Sequence, residues 1–444
     1  MAFLHNISTV ARYEAKTLSR SWFFRLFSIG ALVILTFMNI GLFSPIGGQP
    51  WEIIAISSSM PLINLYLLNI GQAIVVIFLA ADFLKRDKKL DTNEVLYTRS
   101  ISNLEYVAGK TLGILRLFIT LDVLILLICL VFNIISKKIS IDLLSYFEYL
   151  LIIPVPTIIF SLGLAFMLMS LIRNQALTFL LLLGYAALDM FYLNFRAGFL
   201  FDYMVFGLPV FKSGLIGFDN PSQLINQRLI YLSLGLSMVL ITVLVFKRLP
   251  QSRIQRTLSV ILLVFCLSGF GESAYKTWSG YRKDALKKEH AIETNRLFEL
   301  QDFPSIVRMD LDVVHKDHLI KVTSDITILN DNDTILSHYL FSLNPSLDIS
   351  GIIADGKELI FKRTGHVVEI DPGKYLLPGE TDSLTIEYSG TIDESFCYPD
   401  FTDNIKDNPY RIAMLNVGKR QSFLTKDYVL LTPETHWYPV AGLN

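Results

Sequence analysis

The chain has 444 residues, 52% hydrophobic and 18% charged, with a mean hydropathy of +0.47. Soluble domains carry about 25% charged residues, so the composition is off-centre; it excludes intrinsic disorder, collagen-like repeats and a small disulfide scaffold. The formal charge of −1 argues against a nucleic-acid partner and hides a split: residues 1–271 hold 21 basic and 13 acidic side chains, residues 272–444 hold 18 and 27.

In chain order, residues 3–20 form an amphipathic helix suited to a membrane interface, with Arg12, Lys16 and Arg20 four apart. A bilayer is crossed by about 20 mostly apolar residues. Stretches 22–43, 60–83, 111–135, 148–172, 175–192 and 229–246 meet that requirement, and a shorter seventh covers 258–274. The first is not a cleavable signal, because its apolar core runs on without a small-residue cleavage site. With the N-terminus in the cytoplasm, inside segments up to residue 271 carry 16 basic residues and outside segments carry 5. An odd number of spans then places everything after Ala274 outside.

Polar residues within the spans carry separate expectations. Asp122 lies inside the third span and Asp189 near the outer end of the fifth. An intramembrane carboxyl marks a proton or substrate path, or is paired with a neighbouring helix or protonated. Asn64, Asn69 and Gln72 read as interhelical hydrogen-bond partners. Pro154 and Pro156 predict a kink. Cys129 and Cys266 read as small hydrophobes, and Cys397 stands alone.

Between spans two and three, a basic cluster (Lys85-Arg86-Asp87-Lys88-Lys89) suits lipid headgroups. It leads into Asp91-Thr92-Asn93-Glu94-Val95-Leu96-Tyr97-Thr98-Arg99 and ends at Glu105-Tyr106-Val107-Ala108-Gly109-Lys110. An interfacial helix before span one, this loop, and a long outer segment at 194–227 together resemble the permease subunit of type-2 exporter ABC transporters, over about residues 1–250. That resemblance implies a coupling region resting on a separate ATPase, with Glu94, Arg99, Glu105, Gly109 and Lys110 as its residues. It also implies a homodimer or a related second permease. No G-x-x-x-x-G-K-[ST] occurs in the chain, so ATP would be bound by the partner.

After a polar helical connector at 276–302, the period changes to two. Val307, Met309, Leu311 and Val313 alternate with polar residues, as do residues 319–328. Strands at 352–360 flank an Asp355-Gly356 turn, and further strands fall at 367–370 and 383–388. The expected fold is an α-helical transmembrane bundle of six spans plus a seventh, followed by an extracytoplasmic antiparallel β-sandwich or saddle. Its segments are an interfacial helix at 1–21, a permease domain at 22–250, a seventh span at 251–275, the connector, and the β domain at 303–444.

Met309-Asp310-Leu311-Asp312-Val313, Asn344-Pro345-Ser346-Leu347, Leu377-Pro378-Gly379-Glu380 and Ile386-Glu387-Tyr388-Ser389-Gly390 resemble the N-terminal domain of the zinc aminopeptidase N family. Together the two resemblances imply a bacterial permease–aminopeptidase fusion in the inner membrane. The zinc chemistry of that family needs H-E-x-x-H, and none of the seven histidines fits. The family's G-A-M-E-N strand is also missing, Arg411-Ile412-Ala413-Met414-Leu415-Asn416 being a superficial echo. The chain as given is therefore expected to hold no catalytic residue, cofactor or metal; zinc enters only through a domain elsewhere. Three readings remain: an ABC permease subunit, the front of an aminopeptidase continued beyond residue 444 or on another chain, and a membrane-anchored module that recruits a periplasmic protein.

Overall fold

Long apolar runs without internal proline form helices, and the positions of proline and capping residues set where those helices stop. The computed structural model describes residues 2–43, 56–81, 101–136, 139–246, 253–399, 410–412 and 414–443. The helices are α1 (Ala2–Ser19), α2 (Trp22–Phe43), α3 (Ser59–Ala81), α4 (Asn103–Ser136), α5 (Leu143–Ile152), α6 (Pro154–Ile172), α7 (Gln175–Leu188), α8 (Pro221–Val245) and α9 (Arg253–Phe298). Among the described residues, seven helical segments are long and apolar enough to cross a membrane, α5 and α6 counting as one. This is consistent with a multi-pass membrane protein.

Several boundaries differ from the sequence expectation, each for a local reason. The expected fourth span divides at Ile153, because Pro154 and Pro156 carry no N–H for the preceding turn. Helix α8 begins eight residues earlier than expected, where Asn220 accepts from the Gln223 amide and Pro221 opens the first turn. The seventh span and the connector are one helix of 46 residues, roughly 70 Å long at 1.5 Å per residue. Only isolated glycines interrupt that stretch, and they are tolerated at a modest cost.

The chain divides into two compact units, Met1–Ser279 with Asp407–Gly418, and Gly280–Lys406 with Lys419–Asn444. In the helical unit, α6 and α8 meet at glycine. A Cβ on Gly235 would lie 2.7 Å from the Phe160 backbone, so only glycine permits this approach. Large apolar side chains such as Ile34, Phe37, Leu180, Ile261 and Phe265 face outward. Asn39, Asn64, Asn69, Gln72 and Asp122 are buried.

In the helical unit, β1 (Lys212–Ser213) pairs with β2 (Gly217–Phe218). The β unit contains a five-stranded sheet, ordered β3 (Ser305–Lys316), β4 (Leu319–Leu329), β10 (Thr381–Gly390), β6 (Leu347–Ala354) and β7 (Lys357–Glu358). A three-stranded sheet runs β5 (Tyr339–Ser342), β9 (Val367–Asp371) and β8 (Ile360–Thr364). All these pairs are antiparallel. Ile320, Val322, Ile326 and Ile328 of one sheet share an apolar core with Tyr339, Phe341 and Ile370 of the other. Strand β4 shows the expected alternation. Strand β5 is buried at all four positions, which removes the period-two signal and explains why it is missing from the sequence reading. At the β6–β7 turn, Asp355 and Gly356 both take positive φ (52° and 72°), as a type I′ turn requires.

The expected β domain at 303–444 is not continuous. Strands β11 (Tyr410–Ile412) and β12 (Leu415–Val417) form a hairpin that belongs to the helical unit.

Candidate functional site

Two constructions stand out in the helical unit, at opposite ends of its helices. The first joins α1 to the start of α4. Residues Ala11, Glu14 and Leu18 of α1 are buried on one face, while Arg12, Lys16 and Arg20 are exposed. Glu14 and Lys110 form an ion pair of 3.3 Å whose side chains are only 4% and 3% accessible. The Asn6 amide donates to Glu105 Oε1 at 2.9 Å, and Glu105 Oε2 accepts from the Ser102 N–H and hydroxyl at 2.7 Å each. Glycine makes the approach possible. A Cβ on Gly109 would lie 2.6 Å from Val10 Cβ, and one on Gly113 would lie 2.7 Å from the Ala11 carbonyl. At the same end, the Asn103 amide donates to the Phe246 carbonyl at 2.7 Å, tying α4 to the end of α8.

Of the five residues expected in the coupling loop, the structure therefore brings together Glu105, Gly109 and Lys110. They face α1 and are buried against it. Glu94 and Arg99 lie outside the described residues.

The second construction pins the non-helical stretch 194–211, which follows a π-helical turn at Asp189–Leu193. Buried backbone of this kind is stable only where other groups satisfy its polar atoms. Here side chains from several helices do so. The Gln223 amide donates to the Gly198 carbonyl at 3.3 Å, Tyr231 Oη to Leu200 at 2.8 Å, Asn69 to Met204 at 2.7 Å and Tyr66 Oη to Phe206 at 3.1 Å. Gln227 donates to the carbonyls of Phe199 and Asp202. Buried Asp202 accepts from the amides of Phe206, Gly207 and Leu208 at 2.7–2.8 Å, which closes the following turn. Ala197, Phe199 and Val205 are left-handed, with φ of 51°, 64° and 62°. For a β-branched residue such as Val205 this is a strained conformation.

Arg228 is the hub of this construction. All five guanidinium donors find acceptors: Nε the Ile152 carbonyl (2.9 Å), Nη1 the Tyr203 carbonyl (3.2 Å) and Gln227 Oε1 (3.3 Å), Nη2 the Ile153 carbonyl (3.2 Å) and Thr157 Oγ1 (2.9 Å). The Ile152 carbonyl needs a donor because its helical partner would be the N–H that Pro156 lacks. One buried arginine thus bridges the broken helix, α8 and the 194–211 stretch. In sequence Arg228 falls just before the expected sixth span at 229–246, among the five basic residues of the outside segments. The available signal was the i, i+4 polar pair Gln223 and Gln227 immediately before an apolar run.

The two carboxyls expected within the spans sit differently. Asp122 Oδ1 accepts from the Gln72 amide at 2.7 Å, a helix-to-helix contact between α4 and α3. Asn39 and Asn64 exchange reciprocal amide bonds of 2.8 and 2.9 Å. Asp189 is fully buried beside the 194–211 stretch.

In the β unit, His366 and His436 flank the Phe396 ring at centroid distances of 4.8 and 5.5 Å. Burial first, then His436, His290 and Arg363, push His366 down to about 4. Burial pushes His436 down to about 4 as well. Among the described residues, no group of three or more His, Cys, Asp or Glu side chains is gathered to hold a metal ion. His315 and His318 lie at an exposed strand turn centred on Asp317.

No family model and no curated protein matches the chain. Among solved structures, it is similar to the M1 zinc metallopeptidase from Deinococcus radiodurans, with 23% identity over 21% of either chain and a TM-score of 0.19. A mutant of that enzyme bound to a Tyr-Ser-Ala substrate matches with 23% identity over 21% of this chain and 22% of that one, at the same TM-score of 0.19. The chain spans only about a fifth of the length of these structures.

Proposed function

We propose that the chain is a membrane-embedded permease subunit of an ABC transporter, moved by a separate ATPase subunit. The observation that carries this reading is the union of α1 with α4. Buried glycine contacts and a buried ion pair prevent the two helices from sliding past one another, so a push on α1 moves α4. Helix α4 runs 34 residues from this junction towards the opposite end of the unit. The charged stretch 82–100, which precedes α4 in sequence and lies outside the described residues, carries the side chains on which an ATPase would act. These 444 residues contain no phosphate-cradling motif, which fits a reading in which ATP is bound by a partner.

In this reading α1 lies at the cytoplasmic face of a bacterial inner membrane and the β unit lies outside, in line with the bias of basic residues. A second copy or a related permease completes the pathway.

The reading is tested by purifying the tagged full-length chain from native membranes. Stoichiometric recovery of an ATPase, lost in Glu94→Ala/Arg99→Ala, is the expected result. Recovery without any ATPase would overturn it, and a co-purifying zinc peptidase would favour the split-aminopeptidase reading instead.

A further inference from the structure

The β11–β12 hairpin lies about 200 residues along the chain from the stretch that it contacts, yet it belongs to the helical unit. Its register pairs Arg411 with Asn416, so the two side chains share a face of the ribbon. Both converge on the Phe206 carbonyl. Asn416 Nδ2 donates to it at 3.0 Å and Arg411 Nη2 at 3.3 Å, beside the Tyr66 hydroxyl at 3.1 Å. The Arg411 guanidinium also stacks over Phe206 and Phe195, at 4.7 and 5.2 Å from the ring centroids. Leu415 is 1% exposed within the helical unit's own apolar core, and Val417 packs on the same core. Finally, the Asp219 carboxylate packs directly on Gly418, at the end of the hairpin.

The grip falls on a particular place. Phe206 directly follows Val205, the β-branched residue held in the left-handed region. Its own amide is the first of three that close on Asp202. An extended strained stretch persists only where its surroundings over-determine it. The hairpin is the contribution to that restraint from outside the helices.

We propose that the 410–417 hairpin is a strap: it holds the 194–211 stretch in its strained arrangement, and any opening of that end of the bundle begins with the hairpin leaving. The inference does not rest on the permease reading, because it concerns which contacts restrain this stretch and not what drives it.

Hydrogen exchange of the full chain in detergent micelles provides the test, with the amides of Phe206, Gly207 and Leu208 as reporters. In Arg411→Ala/Asn416→Ala these should exchange at least tenfold faster, while amides at the start of α4 and in β3–β4 keep their wild-type rates. Reporter rates within twofold of wild type would overturn the proposal, as would an equal rise throughout the protein. If that variant does not fold, Asn416→Ala alone decides the question: it removes the 3.0 Å bond to the Phe206 carbonyl and should still speed exchange at Phe206, Gly207 and Leu208 several-fold. No local rise would overturn the strap.

Discussion

The two units solve the problem of backbone and side-chain polarity in opposite ways. The β unit satisfies its backbone in ladders and fills its centre with Ile320, Val322, Tyr339, Phe341 and Ile370. The helical unit turns isoleucine, leucine and phenylalanine outward and buries Asn39, Asn64, Gln72, Asp122, Gln227 and Arg228. In water this distribution is costly, because exposed apolar surface goes unburied. In lipid it is favourable, and the buried amides become the specific contacts between helices. The difference teaches where each unit is vulnerable: the helical unit to loss of a hydrogen-bonding group, the β unit to the introduction of a charge.

The largest expected effect follows from the hub of the helical unit. Arg228→Met removes five donors at once and leaves the Ile152 carbonyl without a donor. Each hydrogen bond to a charged group contributes about 1.5–3 kcal/mol, so losing several together should lower stability by more than any of the changes below. Thermal unfolding of the full chain in detergent should show the helical transition lowered and the β transition unchanged. A uniform shift of both would break the comparison. Arg228→Lys keeps the charge but has three donors instead of five, so it should recover only part of the loss.

The β unit should respond instead to acid. His366 and His436 are both held near 4 in the fold, against about 6.5 in the unfolded chain. The neutral forms are favoured by folding, so the stabilisation is complete above about pH 6.5. It is lost as pH falls from there towards 4, by about 3 kcal/mol for each histidine. Urea unfolding of the full chain, followed by β-sheet signals between pH 7.5 and 4, should show this slope. In His436→Gln the slope should be about half as steep; an unchanged slope would remove His436 from the account.

A smaller effect is expected at the junction of α1 and α4. Gly113→Ala sets a methyl group against the Ala11 carbonyl and Glu14 Cβ, at 2.7 and 2.8 Å. Overpacking of this kind costs about 1–3 kcal/mol. Faster amide exchange at the start of α4, with β10 unaffected, would record it. Smallest of all is Asp355→Asn, which removes one partner of an exposed ion pair with Lys374 at 3.3 Å. The expected change is below about 0.5 kcal/mol, within the error of a denaturation curve.

Much of this fold was legible in the sequence, because span length and strand alternation are local signals. The positions of α2, α3 and α7, the β4 alternation and the Asp355-Gly356 turn all follow from neighbouring residues alone. Residues whose role depends on distant partners were not legible. Lys110 reads as the end of a coupling loop, and nothing nearby announces that Glu14 lies 96 positions away to receive it. Arg228 looked like a loop residue because its acceptors are carbonyls, which every sequence has. The Arg411–Asn416 hairpin echoed a peptidase motif because composition alone could not show that it belongs to the other unit. The single helix α9 was divided in the reading because hydropathy falls sharply after Ala274, and that drop marks a change of surroundings, not of backbone.

In the proposed permease, the charged stretch before α4 receives force from a separate ATPase and passes it through the α1–α4 junction. Site-specific cross-linking in native membranes tests it most directly. Cysteines introduced as Glu94→Cys or Arg99→Cys, treated with a short thiol–amine cross-linker, should capture an ATPase subunit identifiable by mass spectrometry. A control Asp355→Cys in the β unit should not. Capture of the same ATPase from position 355, or no ATPase from either loop position, would contradict the claim.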